Sequence, residues 1–206
     1  FSAQYSQMYV GLWDKSSLGY SFAGIAQPLK FKNDYGTIGF SWLSFTSGSL
    51  YKENSMVLSY GKFFASKTNH MFSAGINLKS LSLGYGLDPD GYSTNAVDPD
   101  GNATGSADTL FQKFGMNKSA FSIDLGFQFR PFKNYRTGLA ITNLNEPGIS
   151  LNPVDPVKLS RAISLGIAHT GKNFSIVADY LTRQINQVSD YRLSLAGEQN
   201  LPAGIG

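Results

Sequence analysis

Apolar side chains fall on every second position along much of this chain. In FSIDLGFQFR, Phe121, Ile123, Leu125, Phe127 and Phe129 alternate with Ser122, Asp124, Gly126, Gln128 and Arg130. Period two predicts a strand with one greasy and one polar face. The pattern marks ten segments: residues 4–13, 17–27, 35–46, 55–64, 70–84, 119–132, 135–143, 159–170, 174–184 and 188–197. Most exceed the roughly 5–6 residues of a soluble strand and suit the roughly 9–11 that a tilted membrane-crossing strand needs. No helical stripe of useful length competes, so the expected fold is all-β.

The two faces indicate the solvent on each side. One face gathers Leu18, Tyr20 and Phe22, then Ile38, Phe40 and Trp42, then Phe72, Ile76 and Leu78. It continues through the Phe121 series, Ile163, Leu165 and Ile167, and Tyr191, Leu193 and Leu195. The other gathers Ser21, Gly39, Ser41, Ser73, Gly75, Asn77, Ser122, Gly126, Ser164, Gly166 and Ala168. A face wetted by bulk water favours Lys, Glu and Thr, whereas small Ser, Gly and Ala suit a crowded interior. Greasy outside and small-polar inside is the pattern of an antiparallel transmembrane β-barrel. A soluble β-sandwich or structural surface protein is the alternative.

Connection lengths give an independent indication. After the second, fourth, sixth and eighth segments come PLKFKND, ASKTN, KN and GKN, all short. The long connections, residues 85–118 and 144–158, follow the fifth and seventh segments and so share the opposite side. Short turns on one side and long loops on the other is the asymmetry of outer-membrane barrels. It predicts one domain over residues 1–206 with its long loops outside the cell. Aromatics near segment ends, Trp13, Phe63, Phe64, Phe132, Tyr135 and Tyr180, form either an interfacial girdle or ordinary β-formers.

Composition narrows the classes. Charged residues make up 15% of the 206, against about 25% in a typical soluble domain. The net charge of +3 is unclustered, unlike the basic stripe of a nucleic-acid binder. With no Cys, disulfides and thiolate chemistry are excluded. No run approaches the roughly 18 apolar residues of a membrane helix.

Candidate chemistry is sparse. Asp-Pro-Asp-Gly occurs twice, with Asp88 and Asp90, then Asp98 and Asp100. Alternate Asp followed by Gly can hold calcium, but the same residues are the commonest turn formers. Calcium is the only cofactor these motifs suggest. His70 and His169 stand without metal-ligand spacing, and no Gly-x-Ser-x-Gly elbow is present. The expectation is a non-enzymatic protein.

Ionisable residues say more. By alternation Asp124, Arg130, Arg136, Asp179, Arg183, Asp190, Arg192 and Glu198 share the small-polar face. Charges in a dry interior must pair. They form either a salt-bridged filling or a polar transport path. At least one Asp–Arg pair is expected to span neighbouring strands.

Several stretches resemble a known family. AFSIDLGFQFRP followed by YRTGLAITNLNEPG, then NFSIVADY, RLSLAGEQN and PLKFKNDYGTIGFSW, are similar to segments of PorV-type outer-membrane proteins. The resemblance implies a FadL-like barrel of about fourteen strands, of which this chain would be a piece, since the family's N-terminal segment and last hairpins have no counterpart. It also implies a bacterial outer-membrane location, lipid contact, and docking of a secreted or surface protein through the long loops. Transport of small hydrophobic molecules is the alternative it carries.

Overall fold

The computed structural model describes residues 1–8, 18–30, 34–48, 50–65, 71–86, 95–154, 156–185 and 188–199. Ten strands form one antiparallel sheet: β1 (Ser2–Met8), β2 (Leu18–Lys30), β3 (Asp34–Ser47), β4 (Tyr51–Ala65), β5 (Met71–Tyr85), β8 (Asn117–Phe132), β9 (Tyr135–Thr142), β10 (Ala162–Thr170), β11 (Phe174–Ile185) and β12 (Val188–Gln199). Each pairs with the one before it in that order. Between β5 and β8 lie a separate hairpin, β6 (Asn95–Val97) with β7 (Ala103–Ala107), and a short helix, α1 (Thr109–Phe114).

All ten predicted segments are strands of the one sheet, which makes the chain all-β. The sheet is open among the described residues: β1 and β12 pair on one side only, and no closed barrel is present. The hairpin and α1 were not expected. Helix α1 is bracketed by Asp108, whose Oδ1 accepts from the Leu110 N–H at 2.7 Å, and by Gly115 at φ 75°. A cap and a left-handed terminator stop it after six residues, too few to show helical periodicity.

Register fixes the faces, because paired residues point the same way. One row runs Ile38, Tyr60, Ile76, Leu125, Ile141 and Ile163 across six strands. A second runs Ala74, Phe127, Leu139, Leu165, Tyr180 and Leu193. This outer face is bare: Phe40, Leu58, Tyr60, Phe72, Phe121, Leu165 and Ile167 are all exposed. The opposite, inner face carries the row Gly61, Gly75, Gly126, Ala140 and Ser164. The buried hydrophobic residues among those described are Leu81 and Leu83, both on the inner face.

One strand departs from the expected faces. Tyr20 pairs with Phe45 and Phe22 with Leu43, whereas Trp42 and Phe40 sit opposite Ala23 and Ile25. Leu18, Tyr20 and Phe22 therefore lie on the inner face and Ser21 on the outer, a reversal of the alternation reading for β2. In LGYSFAGIAQ the apolar residues change parity at Gly24, so alternation alone cannot assign the face.

Candidate functional site

The inner face has two halves. Its upper end is where β5 finishes and β8 begins; its lower end carries the two-residue turn at Lys133 and Asn134 between β8 and β9. In the lower half, glycines and small residues leave a cavity of ≈ 640 Å³ lined by Gly61, Ser73, Gly75, Gly126, Gln128 and Asp179 among others. Asp179 lies over Gly166, where a Cβ would come within 2.6 Å of its Oδ1. The glycine thus makes room for the carboxylate.

The upper half is filled. Phe45 meets Tyr51, Tyr51 meets Tyr85, and Tyr85 meets Phe111 of α1, with ring centroids 5.4–6.4 Å apart. Below this ladder sits a polar knot. Lys79 Nζ donates to Asn143 Oδ1 at 3.0 Å and stands 3.5 Å from Asp124 Oδ1. Ser122 Oγ donates to the same Asn143 oxygen at 3.0 Å, and the Asn143 N–H donates to Asp124 Oδ1 at 2.9 Å. The Asn143 amide donates in turn to the Ser160 carbonyl at 3.1 Å. Ser122 is only 1% exposed. Each polar group so buried needs a partner, and the knot supplies one.

The eight charged residues singled out from the sequence all lie on the inner face by register, but they do not form one network. Asp124 belongs to the knot. Arg183 Nε donates to Asp190 Oδ2 at 2.8 Å across β11 and β12, with both side chains about half exposed. Arg130 turns to the Lys133 carbonyl, donating from Nε at 3.1 Å and Nη2 at 2.6 Å, and so caps the β8–β9 turn. Arg136 stands opposite Ala168, Arg192 opposite Leu181, Glu198 opposite Ser175, and Asp179 opposite Gly166 and Ser194. Sequence reasoning missed Lys79 and Asn143. Lys79 was within reach, two positions from inward Asn77 in the same strand. Asn143 was not, because a left-handed turn (φ 53°) aims it inward.

The second Asp-Pro-Asp-Gly motif forms the tip of the β6–β7 hairpin. Asp98 Oδ1 accepts from the N–H groups of Asn102 at 2.8 Å and Asp100 at 3.0 Å. Hydrogen bonding from the Asn102 backbone, first, holds the Asp98 carboxyl below its ordinary value. Asp88 and Asp90 lie outside the described residues. Among the described residues no group of three His, Asp or Glu side chains is placed to hold a metal ion.

At the lower end of the outer face aromatic rings form a belt. Phe64 meets Phe72 and Phe72 meets Phe127. Tyr135 meets His169 at 4.6 Å, and His169 meets Phe174 at 5.3 Å. Trp13 lies outside the described residues.

These features define an all-β protein with one long-stranded antiparallel sheet, crossed on one face by exposed apolar rows. Residues 47–180, nearly two thirds of the chain, match the family described as F plasmid transfer operon, TraF, protein, and the chain belongs to that family. The match overturns the resemblance to PorV-type and FadL-like proteins, and the secretion terms that came with that resemblance are not supported. The segments behind the resemblance are short, apolar and alternating, and many long-stranded sheets share them. No curated protein and no solved structure matches the chain.

Proposed function

We propose that the chain is a non-enzymatic structural component of the bacterial cell surface, a membrane-embedded β-barrel wall whose outer face meets lipid and whose inner face lines a lumen. The carrying observation is the pair of apolar rows that cross the outer face, exposed on strand after strand. A sheet in water covers one face with a core, whereas lipid tolerates such a band indefinitely. The aromatic belt at the lower end fits the headgroup level of a bilayer. The family description, which names a plasmid transfer operon, supports placement in the envelope of a cell equipped for transfer.

In lipid an open sheet edge strands its N–H and C=O groups, so this reading requires the wall to be completed beyond β1 and β12. These edge strands run antiparallel to each other, and their faces agree: Gln4 and Ser6 share the inner side with Asp190 and Arg192, Tyr5 the outer side with Leu193. Leu193 is 78% exposed while Leu165, inside the sheet on the same row, is 51% exposed. The difference is what a missing neighbour strand leaves. Any partner protein would meet the β6–β7 hairpin in the long upper connection.

Substitution on one face tests the reading. Leu165→Arg is expected to block membrane assembly, at a cost of about 2–4 kcal/mol near the bilayer midplane, while Ser164→Thr on the inner face is mild. Folding yield in detergent and membrane fractionation report both. Equal tolerance of the two, or a stable monodisperse chain without detergent, overturns the proposal.

A further inference from the structure

The apolar part of the outer face does not follow the rows of the sheet. On β3 it comprises Trp42, Phe40 and Ile38, with Ser44 and Thr46 above them. On β10 it comprises Ile163, Leu165 and Ile167, with Arg161 above them. Ile38 and Ile163 occupy one row, linked through Tyr60, Ile76, Leu125 and Ile141. The lowest of the three apolar residues on β3 is thus level with the highest of the three on β10. The upper limit of the band has dropped by four residues between the two strands.

The lower limit drops in step. Ile167 shares a row with Thr137, Phe129, Phe72 and Phe64. Because Gly61 faces Thr37, that row reaches β3 at position 34, again four residues below Ile38. Polar neighbours shift with the band. Two residues above the Ile38–Ile163 row stand Phe40, Leu58 and Leu78 on β3 to β5, but Arg161, Gln184 and Ser189 on β10 to β12, all three exposed. At the other end of the Ile38 row, β2 supplies exposed Gln27. Lys62 interrupts the band on β4, yet its Nζ lies 5.7 Å over the Phe64 ring, towards the lower end. The aromatic belt slants the same way. Phe64 and Phe72 are level with Ile167, His169 lies two residues below, and Phe174 two further.

We infer that a bilayer crosses the outer face along this slant, with Arg161, Gln184 and Ser189 at its upper surface and Gln27 at its lower. This rests on the reading of that face as lipid-facing. From β3 to β10 there are five strand-to-strand steps, so a drop of four residues is about 13 Å along the strands against about 24 Å across them, an inclination of about 30°. Strands of a closed barrel tilt by roughly 35–45° from its axis, so a level plane meets each successive strand at a different residue. Such a plane moves both limits of an apolar band together. One row of the sheet therefore passes from water through lipid to water, and neighbours in register contact different media.

Residues that share a row test the slant. The chain has no Cys, so single-Cys variants of the full chain report one position each. Leu58→Cys and Gln184→Cys lie on one row, Ile76→Cys and Gln27→Cys on the next. Each is reconstituted into lipid nanodiscs, which leave both bilayer surfaces open, and treated with a membrane-impermeant maleimide. Gln184→Cys and Gln27→Cys are expected to react at least severalfold faster than Leu58→Cys and Ile76→Cys. Phe40→Cys and Ser189→Cys repeat the upper contrast on other strands, so one poorly inserting variant does not decide the result. Equal protection of both members of either pair overturns the slant and leaves the lipid-facing reading standing. Fast labelling of Leu58→Cys, Ile76→Cys and Phe40→Cys alike, or failure of the parent chain to enter the discs, refutes the lipid-facing reading and the slant with it.

Discussion

The upper and lower halves of the inner face are built from the same ten strands but solve different problems. Below, Gly61, Gly75, Gly126, Gly138 and Gly166 leave the sheet unclothed around an open cavity. Above, Tyr20, Phe22, Leu43, Phe45, Leu81 and Leu83 point inward, and none is exposed. The outer face is apolar through the lower half, whereas its upper end carries the polar rows Ser44, Asn54, Ser82 and Ser119, and Thr46, Lys52, Gly84 and Asn117. A greasy-out, small-polar-in code therefore describes a long-stranded wall only where the inside is empty. Where connections fold back over the inner face, that face becomes a small conventional core with a hydrogen-bonded knot at its base.

Two inward carboxylates separate the halves most sharply. Asp124, in the knot, has a side chain 13% exposed and holds both Lys79 and the Asn143 N–H. Removing one partner from such a buried pair usually costs about 3–5 kcal/mol, because the other charge is left behind. Asp124→Ala is expected to destabilise the folded chain by about that much in denaturant titrations. Asp179, in the lower half, is exposed and lies over Gly166 with no ion pair among the described residues. Asp179→Ala is expected to change stability by less than about 1 kcal/mol. Comparable losses from the two substitutions would erase the distinction between a filled and an open half.

The Arg183–Asp190 pair gives a smaller contrast on the same face. Its geometry is good, at 2.8 Å, but both partners are about half exposed. Exposed pairs of this kind contribute about 0–1 kcal/mol. A double-mutant cycle with Arg183→Met and Asp190→Asn should return a coupling in that range, and one that shrinks with added salt. A coupling above about 2 kcal/mol would mean that this end of the face is far drier than its exposure indicates, as it would be if a further strand covered the edge of β12.

The same two halves explain what alternation could reveal. The ten strands were legible because most are long and carry stretches of period two, as in residues 121–130. Faces were legible for β3, β5, β8, β10 and β12, whose apolar residues point outward through most of their length. The reading failed at β2 because Leu18, Tyr20 and Phe22 belong to the filled upper half, while Ile25 lower on the same strand points outward. Leu81 and Leu83 break parity with Leu78 in β5 for the same reason. The knot was half visible: Asp124 and Ser122 fell on the correct face, but the turn that delivers Asn143 depends on a backbone conformation with no periodic signature. Helix α1 and the β6–β7 hairpin were hidden by brevity, although Asp108 and Gly115 mark the ends of the one and Asp-Pro-Asp-Gly the tip of the other.

The smallest effect is expected outside the sheet, at the hairpin tip. Asp98 is held by local bonds alone, unlike Asp124, whose partners come from distant strands. The Asn102 backbone N–H is the largest contributor, followed, among the favourable contacts, by the Asn102 side chain and the Asp100 and Gly101 backbone, and together they hold the carboxyl below its ordinary value. A carboxyl depressed in the folded state stabilises that state above the unfolded value of about 3.9 and loses the contribution as pH falls through the lower, folded value. The hairpin tip should therefore keep its geometry at neutral pH and loosen only in strong acid, below the ordinary carboxylate range. The amide resonances of Asp100 and Asn102, followed by NMR on an isotope-labelled sample, should move together through that acidic transition. In Asp98→Asn the transition should vanish while the ten-stranded sheet is untouched. A midpoint at or above the ordinary Asp value would show that the tip is ordered by something other than these bonds. Calcium is the first candidate to add back, because a bound cation would drive the midpoint lower and tighten the tip in a metal-dependent way.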